Sequence, residues 1–85
     1  MRKFEYVIKD TIGIHARPAG MLAKEAKKYE SKIIIRKGEK AAEAIKLMAV
    51  MSLNVKCGDS VEVTVEGVDE ENAQENIKRC FETIL

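Results

Sequence analysis

The segment Val61-Glu62-Val63-Thr64-Val65-Glu66 alternates valine with a polar residue without interruption. Successive side chains of a strand point to opposite faces, so this segment has one apolar face and one polar face. It fits a sheet with one face in water and the other covered by helices, which makes the chain an α+β two-layer protein. The other elements follow from the same kind of reading. Phe4, Tyr6 and Ile8 alternate with Glu5, Val7 and Lys9, a first half-buried strand. From Ala16 the period changes, and strand-like alternation gives way to an apolar helical stripe of Ala19, Leu22, Ala23 and Ala26, ending near Tyr29. Lys32 to Lys37 predicts a second strand around Ile33, Ile34 and Ile35, and Gly38 turns it so that Glu39 to Ala42 or Glu43 returns as a third.

The stretch from Ile45 to Leu53 lacks strict alternation and is rich in Leu, Met and Ala, so it reads as a short helix with Asn54 as its C-terminal cap. Cys57-Gly58-Asp59 turns the chain into the valine strand. After Gly67, Asp69 is placed to cap a final helix with an acidic first turn, whose Ala73, Ile77, Cys80, Phe81 and Ile84 share one face. The predicted order is strand, helix, strand, strand, helix, strand, helix. With no repeat, low-complexity segment or linker, residues 1–85 read as a single domain.

A chain of 85 residues has a small core and a stability on the order of 5 kcal/mol. Its 46% hydrophobic and 34% charged residues are those of a globular protein and argue against disorder. Fifteen basic and fourteen acidic residues nearly cancel, so no overall field calls for nucleic acid or membrane as a partner. A small nucleic-acid-binding domain would also need exposed aromatics, and Phe4, Tyr6 and Phe81 lie on predicted core faces. Charge is unevenly placed, however. Lys24, Lys27 and Lys28 follow Arg17 on the first helix, while Asp69, Glu70, Glu71 and Glu75 crowd the last. The N-terminal residues form no signal peptide and no segment is apolar enough to span a bilayer, which points to a cytoplasmic protein with reduced thiols. Cys57 and Cys80 are too far apart for a Cys-x-x-Cys motif, and Cys80 falls on an apolar stripe. One histidine and two scattered cysteines make no metal site, and no cofactor is expected.

That histidine, His15, lies in Thr11-Ile12-Gly13-Ile14-His15-Ala16-Arg17-Pro18-Ala19, where a strand has ended and a helix begins. An imidazole at this place stands beside unpaired backbone N–H groups and the positive end of the helix dipole. The helix end favours the neutral imidazole, a competent nucleophile that accepts a phosphoryl group on a ring nitrogen. Once phosphorylated, the group is held by the N–H groups of Ala16 and Arg17, and the Arg17 guanidinium adds a charge-assisted donor. Pro18 gives up an N–H that had no helical partner there. A lone histidine near a helix start equally serves as a capping or surface residue, so the residues by themselves leave both readings open.

Gly13-Ile14-His15-Ala16-Arg17-Pro18-Ala19 resembles the active-site signature of the HPr family, the histidine-containing phosphocarriers of the bacterial phosphoenolpyruvate-dependent sugar phosphotransferase system. Leu47-Met48-Ala49-Val50-Met51-Ser52-Leu53 resembles the family's second signature at the expected distance, and the likeness spans essentially the whole chain. It implies an open-faced β-sandwich of βαββαβα order, with a four-stranded antiparallel sheet and three helices on one face. It further implies that His15 takes phosphate from phospho-enzyme I on Nδ1 and passes it to IIA components of sugar permeases, assisted by Arg17. Such a protein is a stoichiometric relay rather than an independent enzyme. By the same resemblance, Ala16, Gly20, Lys24 and Lys27 meet Leu47, Met48 and Met51 in the partner-docking surface. The residues themselves allow two readings of Leu47, Met48 and Met51: core side chains, or a methionine-rich surface that adapts to several partners. A docking face that must be free between partners favours a monomer.

Three positions depart from the family pattern. Many relatives from low-GC Gram-positive bacteria carry a kinase-regulated serine just before the second signature; here Lys46 stands there, so the resemblance implies that this control is absent. Ser52 is elsewhere on the helix and does not take over the role. Ile12 replaces a frequent small polar residue and removes one hydrogen bond to a phosphoryl group, and Asn54 replaces a glycine but tolerates a left-handed backbone. These departures keep open a second expectation: a regulatory or interaction paralogue, from a nitrogen-related or dihydroxyacetone-related branch, acting mainly by binding proteins. Retention of His15 with Arg17 favours transfer.

Overall fold

A computed structural model describes all residues 1–85. The elements are β1 (Arg2–Val7), α1 (Ala16–Ala26), β2 (Lys32–Lys37), β3 (Lys40–Glu43), α2 (Leu47–Ser52), β4 (Ser60–Glu66) and α3 (Glu70–Ile84). The four strands form one antiparallel sheet in the order β1-β4-β2-β3. Register aligns Phe4, Val63, Ile35 and Ala42 in one row across the sheet, and all four are buried beneath the helices. The neighbouring row of Glu5, Glu62, Arg36 and Ala41 faces outward, as the alternation in β4 requires. This is the expected open-faced arrangement of a four-stranded sheet with three helices.

Twenty buried residues form one contiguous core. Phe81 of α3 sits at its centre, with its ring edge-to-face against Phe4 (centroids 5.9 Å apart) and Tyr6 (5.5 Å). Of the apolar positions predicted on α3, Ala73, Ile77 and Phe81 are buried, whereas Cys80 and Ile84 are half-buried at the edge of the core. Burial pushes the Cys80 thiol up from its ordinary value, in keeping with a packing role. No helix is long and apolar enough to cross a membrane.

Two helix boundaries and one capping role differ from the sequence reading. Helix α1 ends at Ala26 with Lys27 as its cap, not near Tyr29, because Lys28 and Tyr29 donate to carbonyls only three residues back (Glu25, 3.1 Å; Ala26, 3.3 Å). Lys28 therefore lies beyond the helix, where it pairs with Glu25. Helix α2 begins at Leu47 rather than Ile45, since Lys46 is extended and its N–H closes a turn onto Glu43 (3.0 Å). Asn54 does adopt the left-handed conformation, at φ 55°. Asp69 stands at the start of α3, but its carboxylate caps nothing there. It accepts instead from the backbone N–H groups of Glu30 and Ser31 (both 2.9 Å) and from the Ser31 hydroxyl, tying α3 to the turn between α1 and β2. Those bonds, the Ser31 hydroxyl first, hold the Asp69 carboxyl below the usual carboxylate range.

Candidate functional site

After β1 the chain crosses to α1 through a short loop whose backbone is closely tied. Lys9 and Asp10 donate to the Leu85 carbonyl (2.6 and 2.8 Å), and Ile14 donates to the Val55 carbonyl (3.0 Å). Gly13 is required between them. Its φ is +87°, and a Cβ there would lie 2.3 Å from the Val55 oxygen and 2.7 Å from Lys56 Cα. This clamp delivers His15 in extended conformation (φ −116°, ψ −172°) to the N-cap of α1.

The imidazole of His15 is half-exposed and makes no capping hydrogen bond, so the capping reading has no support in the geometry. The first helical hydrogen bond is donated by Ala19 to the His15 carbonyl (3.0 Å). The N–H groups of Ala16 and Arg17 precede it and have no helical acceptor, and Pro18 has no N–H to leave unpaired. Arg17 is exposed and forms no ion pair. A shallow cleft of about 270 Å3 opens here, lined by Asp10, His15, Arg17, Pro18, Met21 and Ile84. An open depression with two free N–H donors, a free guanidinium and an uncommitted imidazole can hold a tetrahedral anion on nitrogen.

Ala16, Gly20, Lys24 and Lys27 are spaced by three or four residues along one flank of α1, beside its buried stripe of Ala19, Leu22, Ala23 and Ala26. Gly20 is half-buried, and a Cβ added there would meet nothing within 4 Å, so its outer side faces open space. Helix α2 packs beside α1. Met48 is 75% exposed and Leu47 is 37% exposed, which removes the core reading for both; Met51 is half-buried against the core. Lys46 projects at the edge and pairs with Glu43 (3.0 Å). The sequence reading missed Asp10, Met21 and Ile45. Met21 carried a usable signal, since it falls off the apolar stripe of α1 and is exposed, as are Ile12 and Ile45. Asp10 carried none, because only the folded loop brings it beside His15.

A family model described as the PTS HPr component phosphorylation site matches residues 2–83. The chain belongs to the HPr family. The phosphocarrier protein HPr of Mycoplasma genitalium is 42% identical over 83 residues, 96% of this chain and 94% of that relative. Among solved structures, HPr-C-His from Thermoanaerobacter tengcongensis matches with a TM-score of 0.92 at 36% identity, covering 98% of this chain and 93% of that one. An HPr dimer from the same organism matches at 0.77 and 36% identity, covering 98% and 95%. HPr proteins are the phosphocarriers of the phosphotransferase system, and both the sheet order and the helical layer of this chain are theirs.

Proposed function

We propose that this HPr carries its phosphoryl group on His15, receiving it from phospho-enzyme I and passing it to IIA components of sugar permeases. The observation that carries the reading is the uncommitted imidazole at the α1 N-cap, beside the free N–H groups of Ala16 and Arg17 and the unpaired Arg17 guanidinium. In the charging step the Nδ1 lone pair forms a bond to phosphorus as the donor's bond to phosphorus breaks, leaving the electron pair with the donor. The helix end and Arg17 stabilise the charge on the phosphoryl oxygens. Attack by the acceptor's nucleophile then returns the electron pair to Nδ1. The carrier is restored after each exchange, so it acts as a stoichiometric relay in the cytoplasm rather than as an enzyme.

Partners dock on the surface made by Ala16, Gly20, Lys24 and Lys27 of the α1 side and Leu47, Met48 and Met51 of α2. Exposed methionine suits several partners because its unbranched side chain refits without strain. One face must then serve donor and acceptor in turn, which favours a monomeric single domain as the working form. Position 46 offers no hydroxyl, so the carrier runs without serine control at that place. Incubation with phosphoenolpyruvate and enzyme I tests the reading, with intact mass measured before and after acid. We expect one acid-labile phosphate on the native chain and none on His15→Ala; equal labelling of that variant would overturn it.

A further inference from the structure

We propose that Asp10 is a positioning residue that holds the approach to His15 and, by its charge, keeps the phosphorylated form ready to give up its phosphate. The proposal rests on His15 being the phosphorylated residue. Asp10 is fixed by three hydrogen bonds: its own N–H donates to Leu85 (2.8 Å), its carbonyl accepts from Gly13 (3.0 Å), and its Oδ1 accepts from the Ile12 N–H (2.9 Å). This is an Asx turn, and it sets the direction in which Gly13, Ile14 and His15 leave the loop.

Two consequences follow for an anion on His15. The loop withholds two of its donors, since Asp10 already occupies the N–H groups of Ile12 and Gly13, and the Ile12 side chain is apolar. With those two N–H groups taken, the α1 N-terminus and Arg17 are the donors that flank His15 in sequence. In addition, Asp10 lines the same cleft as His15 and Arg17, and no lysine or arginine pairs with its carboxylate. Before charging, Asp10 and Arg17 bring opposite charges to the cleft. After charging, a phosphoryl group adds about two negative charges at neutral pH, which Arg17 attracts and Asp10 repels. Opposed charges of this kind favour release to an acceptor over retention, which suits a relay.

Asp10→Asn separates the turn from the charge, because the amide oxygen still accepts from the Ile12 N–H. The measurement is the equilibrium between phospho-enzyme I and the carrier, read as the charged fraction by intact mass in low and high salt. In low salt, Asp10→Asn is expected to favour the phosphorylated carrier about three- to tenfold over the native chain, and the difference should shrink in about 1 M salt. Asp10→Ser, which keeps a neutral turn acceptor, should shift the equilibrium in the same direction and serves if the Asn variant does not fold. An equilibrium unchanged or moved toward release in a folded variant overturns the proposal, as does a shift that salt leaves intact. Failure of the native chain to take phosphate at His15 would instead overturn the reading beneath it.

Discussion

Helix α2 has five apolar residues in six and buries only Val50; helix α3 has five in fifteen and buries three of them at the centre of the protein. Burial follows period and length rather than apolar content. The fifteen residues of α3 repeat their apolar positions once per turn, so one stripe lies on the sheet beneath Phe4 and Tyr6. The single turn and a half of α2 fully buries one side chain, rests Met51 against the core and leaves Leu47 and Met48 in water. Apolar surface left uncovered on α2, which packs beside α1, suits the partner surface proposed above.

Substitutions in the two regions should separate stability from exchange. The largest expected effect is in the body: Phe81→Ala removes a fully buried ring and should cost about 3–5 kcal/mol, most of the stability of a chain this size, as read by urea denaturation. A loss below about 1 kcal/mol would mean that α3 does not organise the core. At the junction, Gly13→Ala forces a Cβ against the Val55 carbonyl at positive φ and should cost about 1–3 kcal/mol, with amide shifts spreading to His15 and Ala16.

Asp69→Asn should lower the midpoint of thermal unfolding more modestly, and its effect depends on pH with a definite sign. The folded carboxyl is held below its ordinary value, so its contribution is complete above about pH 4 and is lost as pH falls through the lower folded value. The gap between native chain and variant should thus stay constant near neutrality and close in acid; a gap that widened in acid would contradict the clasp. Smallest in stability is Met48→Ala, expected within about 0.5 kcal/mol of the native chain while weakening enzyme I binding about five- to thirtyfold. Stability lost without loss of binding would return Met48 to the core.

Alternation in β1 and β4 and the stripes of α1 and α3 were legible because period alone decides which side chains face inward. His15, Arg17 and Pro18 were legible because helix starts have a chemistry that depends on few neighbours. The end of α1 was not, since the tightened turn at Lys28 and Tyr29 depends on Tyr29 reaching Glu25 (2.8 Å) and packing against the core. Asp69 misled for a similar reason: a side chain suited to capping its own helix met better donors thirty-eight residues away in Ser31. Met48 was ambiguous because a short apolar helix has no period long enough to choose a face. Asp10 gave no signal at all, being a neighbour of His15 only through the loop that Gly13 makes possible.

The division between a supporting body and an exchanging corner is tested most directly by amide chemical-shift mapping of the labelled chain titrated with enzyme I. Perturbations are predicted at Ala16, Gly20, Lys24, Leu47, Met48 and Met51, with Glu5, Arg36 and Glu62 on the open sheet face unmoved. Shifts centred on that sheet face, with the α1 and α2 residues silent, would contradict the account.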